Sequence, residues 1–358
     1  MLPESPFAAL VPYGWDDRVA ALYASTDPDP DPAVHVPGRV IRIDYDRCLV
    51  ATGAADGPVQ ATAWPLPATG DWVRLRLTDG GPEGVSNGAP AAVDAVLPRW
   101  SALTREDQVM AANVDIVLVV ASLDTPVNLN RIERQLVLAW DSGAKPVVIL
   151  TKADTHADPK EVVVAVEARA GRVDVVLTSS TLDSGVDEVA AHLRPNRTAV
   201  LLGPSGAGKS TLANRLLEAD VLATGRVRTG DHKGRHTTTS RDLVVVPAGG
   251  VLIDTPGVRS LTLLGAEEGL AAAFSDVGDL AEGCKFRDCR HAGEPGCAVA
   301  AAVRAGLLDA DRVANFRKIE GDLERQAASV IERVEAAKKG KAGQKALRNF
   351  YKGSKPAN

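Results

Sequence analysis

The order of three short motifs constrains this chain more than any other feature. Thr151-Lys152-Ala153-Asp154 comes first, Gly203-Pro204-Ser205-Gly206-Ala207-Gly208-Lys209-Ser210 second, and Asp254-Thr255-Pro256-Gly257 last. The middle motif follows an apolar run at 199–202 and precedes a helical pattern opening at Thr211. That context predicts a phosphate loop, whose glycines let backbone N–H groups wrap a phosphate at a helix N-terminus. Asp254 ends another apolar run, 251–253, where an aspartate can hold Mg²⁺ through water and the Gly257 N–H can meet a terminal phosphate. Asp154 follows the run 147–150. Its carboxylate can accept two hydrogen bonds from guanine's ring N–H and exocyclic amine, a donor pair that adenine does not present. In an ordinary guanine-nucleotide domain the phosphate loop leads and the base reader closes. Here the base reader precedes the phosphate loop, so the domain reads as circularly permuted.

Near-continuous apolar runs at 116–121, 147–150, 173–177, 199–202 and 251–253 predict strands of a parallel sheet covered on both faces. Leu129, Ile132, Leu136 and Trp140 recur at helical spacing between the first two. Before this region, short alternating segments such as Arg39-Val40-Ile41-Arg42-Ile43 predict a small barrel of the oligonucleotide-binding (OB) type. After about residue 265 the pattern is helical, with Val313, Phe316, Leu323, Ala327, Val330 and Val334 forming an apolar stripe. The expected architecture is therefore multidomain α/β. It comprises an N-terminal arm at 1–37, an OB-type β-barrel at 38–98, a circularly permuted phosphate-loop domain at 108–264, a helical zinc-binding domain at 265–337 and a basic tail at 338–358.

Within the nucleotide site, Lys209 is expected to bridge the β- and γ-phosphates as a catalytic group, and Ser210 to ligate Mg²⁺. Thr211 opens the helix beside them. Thr151 stands where Asn is usual, and its hydroxyl can still contact the phosphate loop. Ser179 and Ser180, after the run ending at Leu177, suit the remaining base-contacting loop. In Gly234-Arg235-His236-Thr237-Thr238-Thr239, Thr238, with Thr237 as the alternative, suits a switch residue reaching Mg²⁺ when the γ-phosphate is present. His236 is a candidate for assisting the attacking water, although a lone loop histidine serves as readily in packing. Val258 follows the last motif, where many GTPases carry a water-orienting Gln. Valine cannot orient water by hydrogen bonding, so slow turnover without a partner is expected.

Three of four cysteines fall in Cys284-x4-Cys289-x-His291-x5-Cys297. Three thiolates and one imidazole make a closed tetrahedral Zn²⁺ set, hence one structural ion. Cys48 lies far away and reads as an ordinary buried side chain. Residues 331–358 carry eight Lys or Arg and two Glu, a charge of +6, so a chain of net −5 has −11 elsewhere. A basic tail on an acidic body suggests a polyanionic partner. Candidate RNA contacts are Arg39, Arg42, Arg74 and Arg76, the tail cations Lys338, Lys339, Lys341, Lys345, Arg348 and Lys352, and the aromatic residues Tyr45, Trp64 and Trp72. No window reaches the roughly 18 apolar residues of a membrane span, and the N-terminus lacks a secretory pattern, so a cytoplasmic, membrane-free protein is expected.

On these residues the chain resembles the ribosome small-subunit-dependent GTPase A (RsgA) family of bacteria. The resemblance runs over nearly the whole length and rests on the motif order, GRHTTT and the metal spacing. It implies GTP hydrolysis stimulated by the small ribosomal subunit late in its maturation, with Mg²⁺ accompanying GTP. It also implies that the barrel and the zinc domain contact that subunit's rRNA. Nothing in the sequence requires more than a monomer. Asp183, where the family usually has Gly, and Thr151 are departures. An ATPase or kinase is disfavoured by Asp154, and a redox protein by the full ligand set.

Overall fold

The structure is a computed structural model describing residues 7–26, 31, 34–53, 57–77, 91–105, 108–219, 242–253, 263 and 265–353, with side chains as far as residue 333. It divides into two compact units, Met1–Thr262 and Leu263–Asn358.

In the first unit, the stretch read as an N-terminal arm carries a 3-10 helix, Ala8–Tyr13, and helix α1, Asp17–Thr26. Leu10, Trp15, Val19 and Tyr23 bury against Ala51, Trp72 and Leu97. Strands β1 (His35–Asp44), β2 (Arg47–Thr52), β3 (Val59–Thr62), β4 (Trp72–Arg76) and β5 (Ala91–Val96) follow. They close in the order β1-β2-β3-β5-β4, with β4 back on β1. Val40, Val50, Val73 and Leu75 fill the interior, with Cys48 buried beside them. A hairpin of β6 (Ala102–Arg105) and β7 (Gln108–Ala112) comes next.

Two expected RNA contacts are overturned here. Trp72 is buried, its ring meeting that of Trp15 edge-on at 5.4 Å between centroids. Arg39 is 1 % exposed. Its guanidinium donates to the Tyr13 carbonyl, to Thr198 Oγ1 at 2.7 Å and to the Asn113 carbonyl at 3.3 Å. Burial lowers its pKa to about 10, which leaves it charged at neutral pH as a tie between the barrel and the neighbouring sheet. Arg42 pairs with Asp242 and Arg74 with Asp94. Arg76, Tyr45 and Trp64 are exposed.

The sheet contains β8 (Ile116–Ser122), β9 (Lys145–Thr151), β10 (Asp174–Leu177), β11 (Thr198–Leu202), β12 (Leu243–Val245) and β13 (Val251–Ile253), in the order β10-β9-β8-β11-β13-β12. All neighbours are parallel except β12 and β13. Ile116, Leu118, Ile149 and Leu201 pack with helices α4 (Val186–Leu193) and α5 (Lys209–Leu216). The alternate residues Val117, Val119, Val148 and Leu150 are equally buried, so both faces are covered. Helices α2 (Leu129–Asp141) and α3 (Pro159–Ala170) also lie against these strands. Asn128 caps α2 by accepting the Arg131 N–H at 3.0 Å. Parallel strands present their C-terminal ends together, and ligands bind along that edge.

The second unit holds α6 (Glu267–Ala273), α7 (Ser275–Ala281), α8 (Ala298–Arg304) and α9 (Ala310–Gly353). Val313, Ile319 and Leu323 are the buried face of α9. The buried Arg312 forks onto both Asp276 oxygens at 2.7 and 2.6 Å. The α9 backbone runs to Gly353, so it takes in most of the stretch read as a basic tail.

Candidate functional site

Gly203–Gly208 connects β11 to α5 at the C-terminal edge of the sheet, with β8 on one side of β11 and β13 on the other. A Cβ at Gly203 would lie 2.3 Å from the Val120 carbonyl, so only glycine fits there. Gly206 and Gly208 adopt φ of +78° and +89°. These left-handed residues turn the loop back on itself, the geometry that points successive N–H groups into one concavity. Lys209 Nζ donates to the Gly203 and Pro204 carbonyls at 2.8 and 2.7 Å and so lies along the loop. Ser210 and Thr211 occupy the half-buried first turn of α5.

The base-reading motif reaches the same place from the end of β9. Thr151, standing where Asn is usual, donates through Oγ1 to the Ala207 carbonyl at 2.7 Å. Lys152 Nζ donates to the Gly206 carbonyl at 2.9 Å. Two consecutive residues therefore fasten the phosphate loop to the base reader. Ala153 N–H bonds the Thr178 carbonyl at 3.1 Å, placing Asp154 beside the loop after β10. There Ser179 Oγ donates to Asp154 Oδ1 at 2.5 Å. That bond, the largest cause, holds the exposed Asp154 carboxyl below the usual carboxylate range, so it is anionic throughout the neutral region. Ser180 offers its carbonyl to Arg215 Nη2 at 2.9 Å. Thr151, Lys152, Thr178, Ser180, Gly208 and Thr211 line one cleft.

The loop after β10 is shaped by backbone as well as side chains. Asp183, in place of the usual Gly, has φ +51°, a left-handed conformation that Asp tolerates better than most residues. Gly185 has φ +79°, and a Cβ there would meet the Leu177 carbonyl at 1.9 Å. Gly185→Ala should therefore destabilise the first unit by about 2–4 kcal/mol. It should also weaken nucleotide binding, because Ser179 and Ser180 sit between Leu177 and residue 185. Denaturant unfolding and nucleotide titration of the variant would check both, and unchanged stability would refute the steric argument.

His236, Thr237, Thr238, Asp254, Gly257 and Val258 lie outside the described residues. Among described groups the sequence reading passed over Asp124, whose Oδ2 meets Lys152 Nζ at 2.5 Å. An aspartate in a loop after an apolar run carries no motif that would reveal it.

In the second unit, Cys284, Cys289, His291 and Cys297 converge, with their four donor atoms all within 4.8 Å of one another. Cys284 and Cys297 Sγ lie 3.9 Å apart, and each approaches His291 Nδ1, at 3.7 and 3.5 Å. A tetrahedron with Zn–S near 2.3 Å and Zn–N near 2.0–2.1 Å has edges of roughly 3.8 and 3.5 Å. The donor set therefore fits such an ion. The cysteines are free thiols, not disulfides. Cys297 also caps α8, accepting the Ala300 N–H at 3.3 Å, the kind of outer contact that orients a thiolate.

Comparison with known proteins agrees with this layout. Residues 96–264 match the protein family described as RsgA GTPase. The chain is 43 % identical over 351 residues to the small ribosomal subunit biogenesis GTPase RsgA of Streptomyces coelicolor, covering 93 % of this chain and 92 % of that one. The crystal structure of YjeQ from Thermotoga maritima superposes with a TM-score of 0.63 at 26 % identity, over 81 % of this chain and 99 % of the other. YloQ, described as a circularly permuted GTPase, shares the fold with a TM-score of 0.62 at 23 % identity, over 83 % and 98 %.

Proposed function

This chain belongs to the RsgA GTPase family and is a GTP hydrolase, and from that premise we propose that it acts on the small ribosomal subunit during late maturation. One observation carries the nucleotide reading. The Thr151 hydroxyl on the Ala207 carbonyl brings motifs some fifty residues apart, in permuted order, into one site.

In this reading Asp154 selects guanine, with Lys152, Ala153, Ser179 and Ser180 completing the base pocket. The N–H groups of 203–208, with Ser210 and Thr211, take the phosphates, and Lys209 swings from its loop carbonyls to the β- and γ-phosphates. Ser210 and Thr238, with Asp254 through water, would hold Mg²⁺, which supplies charge neutralisation on the phosphates. Thr237 and Gly257 would approach the γ-phosphate, and His236 would assist the attacking water. Val258 offers no hydrogen bond to that water, so the subunit supplies what the chain lacks. Cys284, Cys289, His291 and Cys297 would hold one structural Zn²⁺.

The hydrolase of 108–264 is flanked in sequence by the barrel of 38–98 and the zinc domain of 265–337, with the arm and the basic tail at the two ends. Both flanking domains are assigned rRNA contacts; the candidates that remain are the exposed Arg76, Tyr45 and Trp64, the ion-paired Arg42 and Arg74, and the tail cations. A cytoplasmic monomer that binds GTP and, after hydrolysis, GDP, away from membranes, completes the assignment. No described helix is long and apolar enough to cross a membrane.

Turnover of GTP by the purified chain, alone and with small subunits, tests this. Small subunits should accelerate hydrolysis by at least about tenfold, where large subunits and ATP should not, since supplied groups are worth orders of magnitude in such enzymes. Turnover indifferent to small subunits would overturn the proposal.

A further inference from the structure

We infer that Asp124 is a positioning residue for the guanine-nucleotide site, holding Lys152 across the phosphate loop. The inference rests on the nucleotide reading above. Asp124 stands two residues beyond β8, at the same sheet edge as the base reader. The Leu123 N–H bonds the Thr151 carbonyl at 2.9 Å, so the ends of β8 and β9 stay paired up to that point. Lys152 then takes φ +57°, a left-handed turn unusual for a long side chain. Its ammonium meets Asp124 Oδ2 at 2.5 Å and the Gly206 carbonyl at 2.9 Å. Lys152 thus bridges three segments: the turn after β8, the base reader after β9 and the phosphate loop after β11.

A neutral carbonyl alone holds a lysine poorly, because four rotatable bonds must be frozen for one bond. The carboxylate adds a charge-assisted bond and removes much of that freedom. Lys152 and then Ser122 keep the Asp124 carboxyl below its ordinary range, so the charge is present at all physiological pH. The two side chains are 33 % and 37 % exposed, and a pair this open contributes little to folding. Its consequence is geometric. With Thr151 already fastened to Ala207, a fixed Lys152 holds residues 151–154 and the phosphate loop as one body. Base and phosphates of one ligand then meet preset partners. Without Asp124, binding must order Lys152 each time, and affinity falls while the reacting phosphate keeps its surroundings.

The test is titration of the full chain with a fluorescent GDP analogue, using Asp124→Asn, Asp124→Glu, Lys152→Ala and the Asp124→Asn/Lys152→Ala double variant. Asp124→Asn should weaken binding about three- to tenfold, with the loss appearing in KM for GTP rather than in kcat. Asp124→Glu should recover most of it. On the Lys152→Ala background, Asp124→Asn should add nothing, which a merely structural role would not produce. Undiminished affinity in Asp124→Asn overturns the inference, as does an equal loss on both backgrounds or a loss confined to kcat. Failure of the wild-type chain to bind the analogue would instead remove the nucleotide-site reading, and this inference with it.

Discussion

Asp154→Asn should move the base preference from guanine to xanthine, lowering GTP affinity by about two to four orders of magnitude. Each carboxylate bond to guanine's N–H groups is charge-assisted, worth about 1.5–3 kcal/mol where water is excluded. Asparagine keeps the shape but replaces one acceptor oxygen with an NH2 donor. Ser179 decides which one. Its hydroxyl donates to Oδ1 at 2.5 Å, so the amide carbonyl stays at that position and the NH2 takes the place of Oδ2. Guanine's exocyclic amine then faces a donor, and one buried N–H is left unpaired. Xanthine carries a carbonyl at that ring position and restores the pair. The phosphate loop is untouched, so XTP should compete for the site at concentrations where GTP no longer does. Competition against a fluorescent GDP in the wild type, and a fluorescent xanthine diphosphate in the variant, gives both constants. Retained GTP affinity without a gain for XTP would mean that Asp154 does not read the base.

Much of this site was legible because its signals are local. The phosphate loop, the base reader and the strands delivering them are contiguous runs, and a strand buried on both faces needs no partner to be recognised. The Thr151 contact was legible too, since a hydroxyl at the end of β9 has the adjoining loop within reach. The losses share a different cause. Alternation in β1 marked a barrel strand, but a charged side chain on that strand, Arg39, was equated with an exposed one. Tyr13, Asn113 and Thr198 close over Arg39 from as far as 159 residues away, and no window of sequence contains them. Trp72 is covered likewise by Trp15, from a segment whose Asp- and Pro-rich flank hid a ten-residue helix. β12 was missed because three residues on an antiparallel edge make too short a pattern. Asp124 acts through an ion pair 28 residues away that becomes meaningful only once β8 and β9 are adjacent.

Removing the metal from the Cys284, Cys289, His291 and Cys297 cluster should unfold the segment that carries it. Of the fourteen residues from Cys284 to Cys297, Cys297 alone is buried, so no apolar core holds this loop in shape. What remains is a small set of hydrogen bonds, among them the Lys285 N–H on the Gly296 carbonyl at 3.0 Å, the Glu294 carboxylate accepting the Arg290 and Ala292 N–H groups at 3.0 and 2.7 Å, the Cys289 N–H on the Phe286 carbonyl at 3.3 Å, the Cys297 N–H on the Glu294 carbonyl at 3.2 Å and Arg290 on Glu324 at 3.3 Å. Ordering about a dozen residues costs on the order of 10–20 kcal/mol, which a few exposed hydrogen bonds do not offset. A structural Zn²⁺ supplies about 10–16 kcal/mol, enough to close the difference. The damage should spread past the loop. The Cys297 sulfur caps α8 through Ala300, and His291 lies 6.3 Å from the ring of Phe316 on α9, which in turn meets Phe274 at 5.5 Å. Metal analysis should find one zinc per chain, and a strong chelator or Cys297→Ala should release it. Protease should then cut within 284–297, with partial loss of helical signal. Guanine-nucleotide binding should survive, because Asp154 and the phosphate loop belong to the other compact unit. Acid should act as the chelator does, since thiols must lose protons to bind zinc and protonation releases it, so the segment should open as pH falls, at a pH that shifts down with added zinc. A segment that stays protected after complete metal removal would show that the hydrogen bonds alone suffice, and the zinc assignment would lose its structural role.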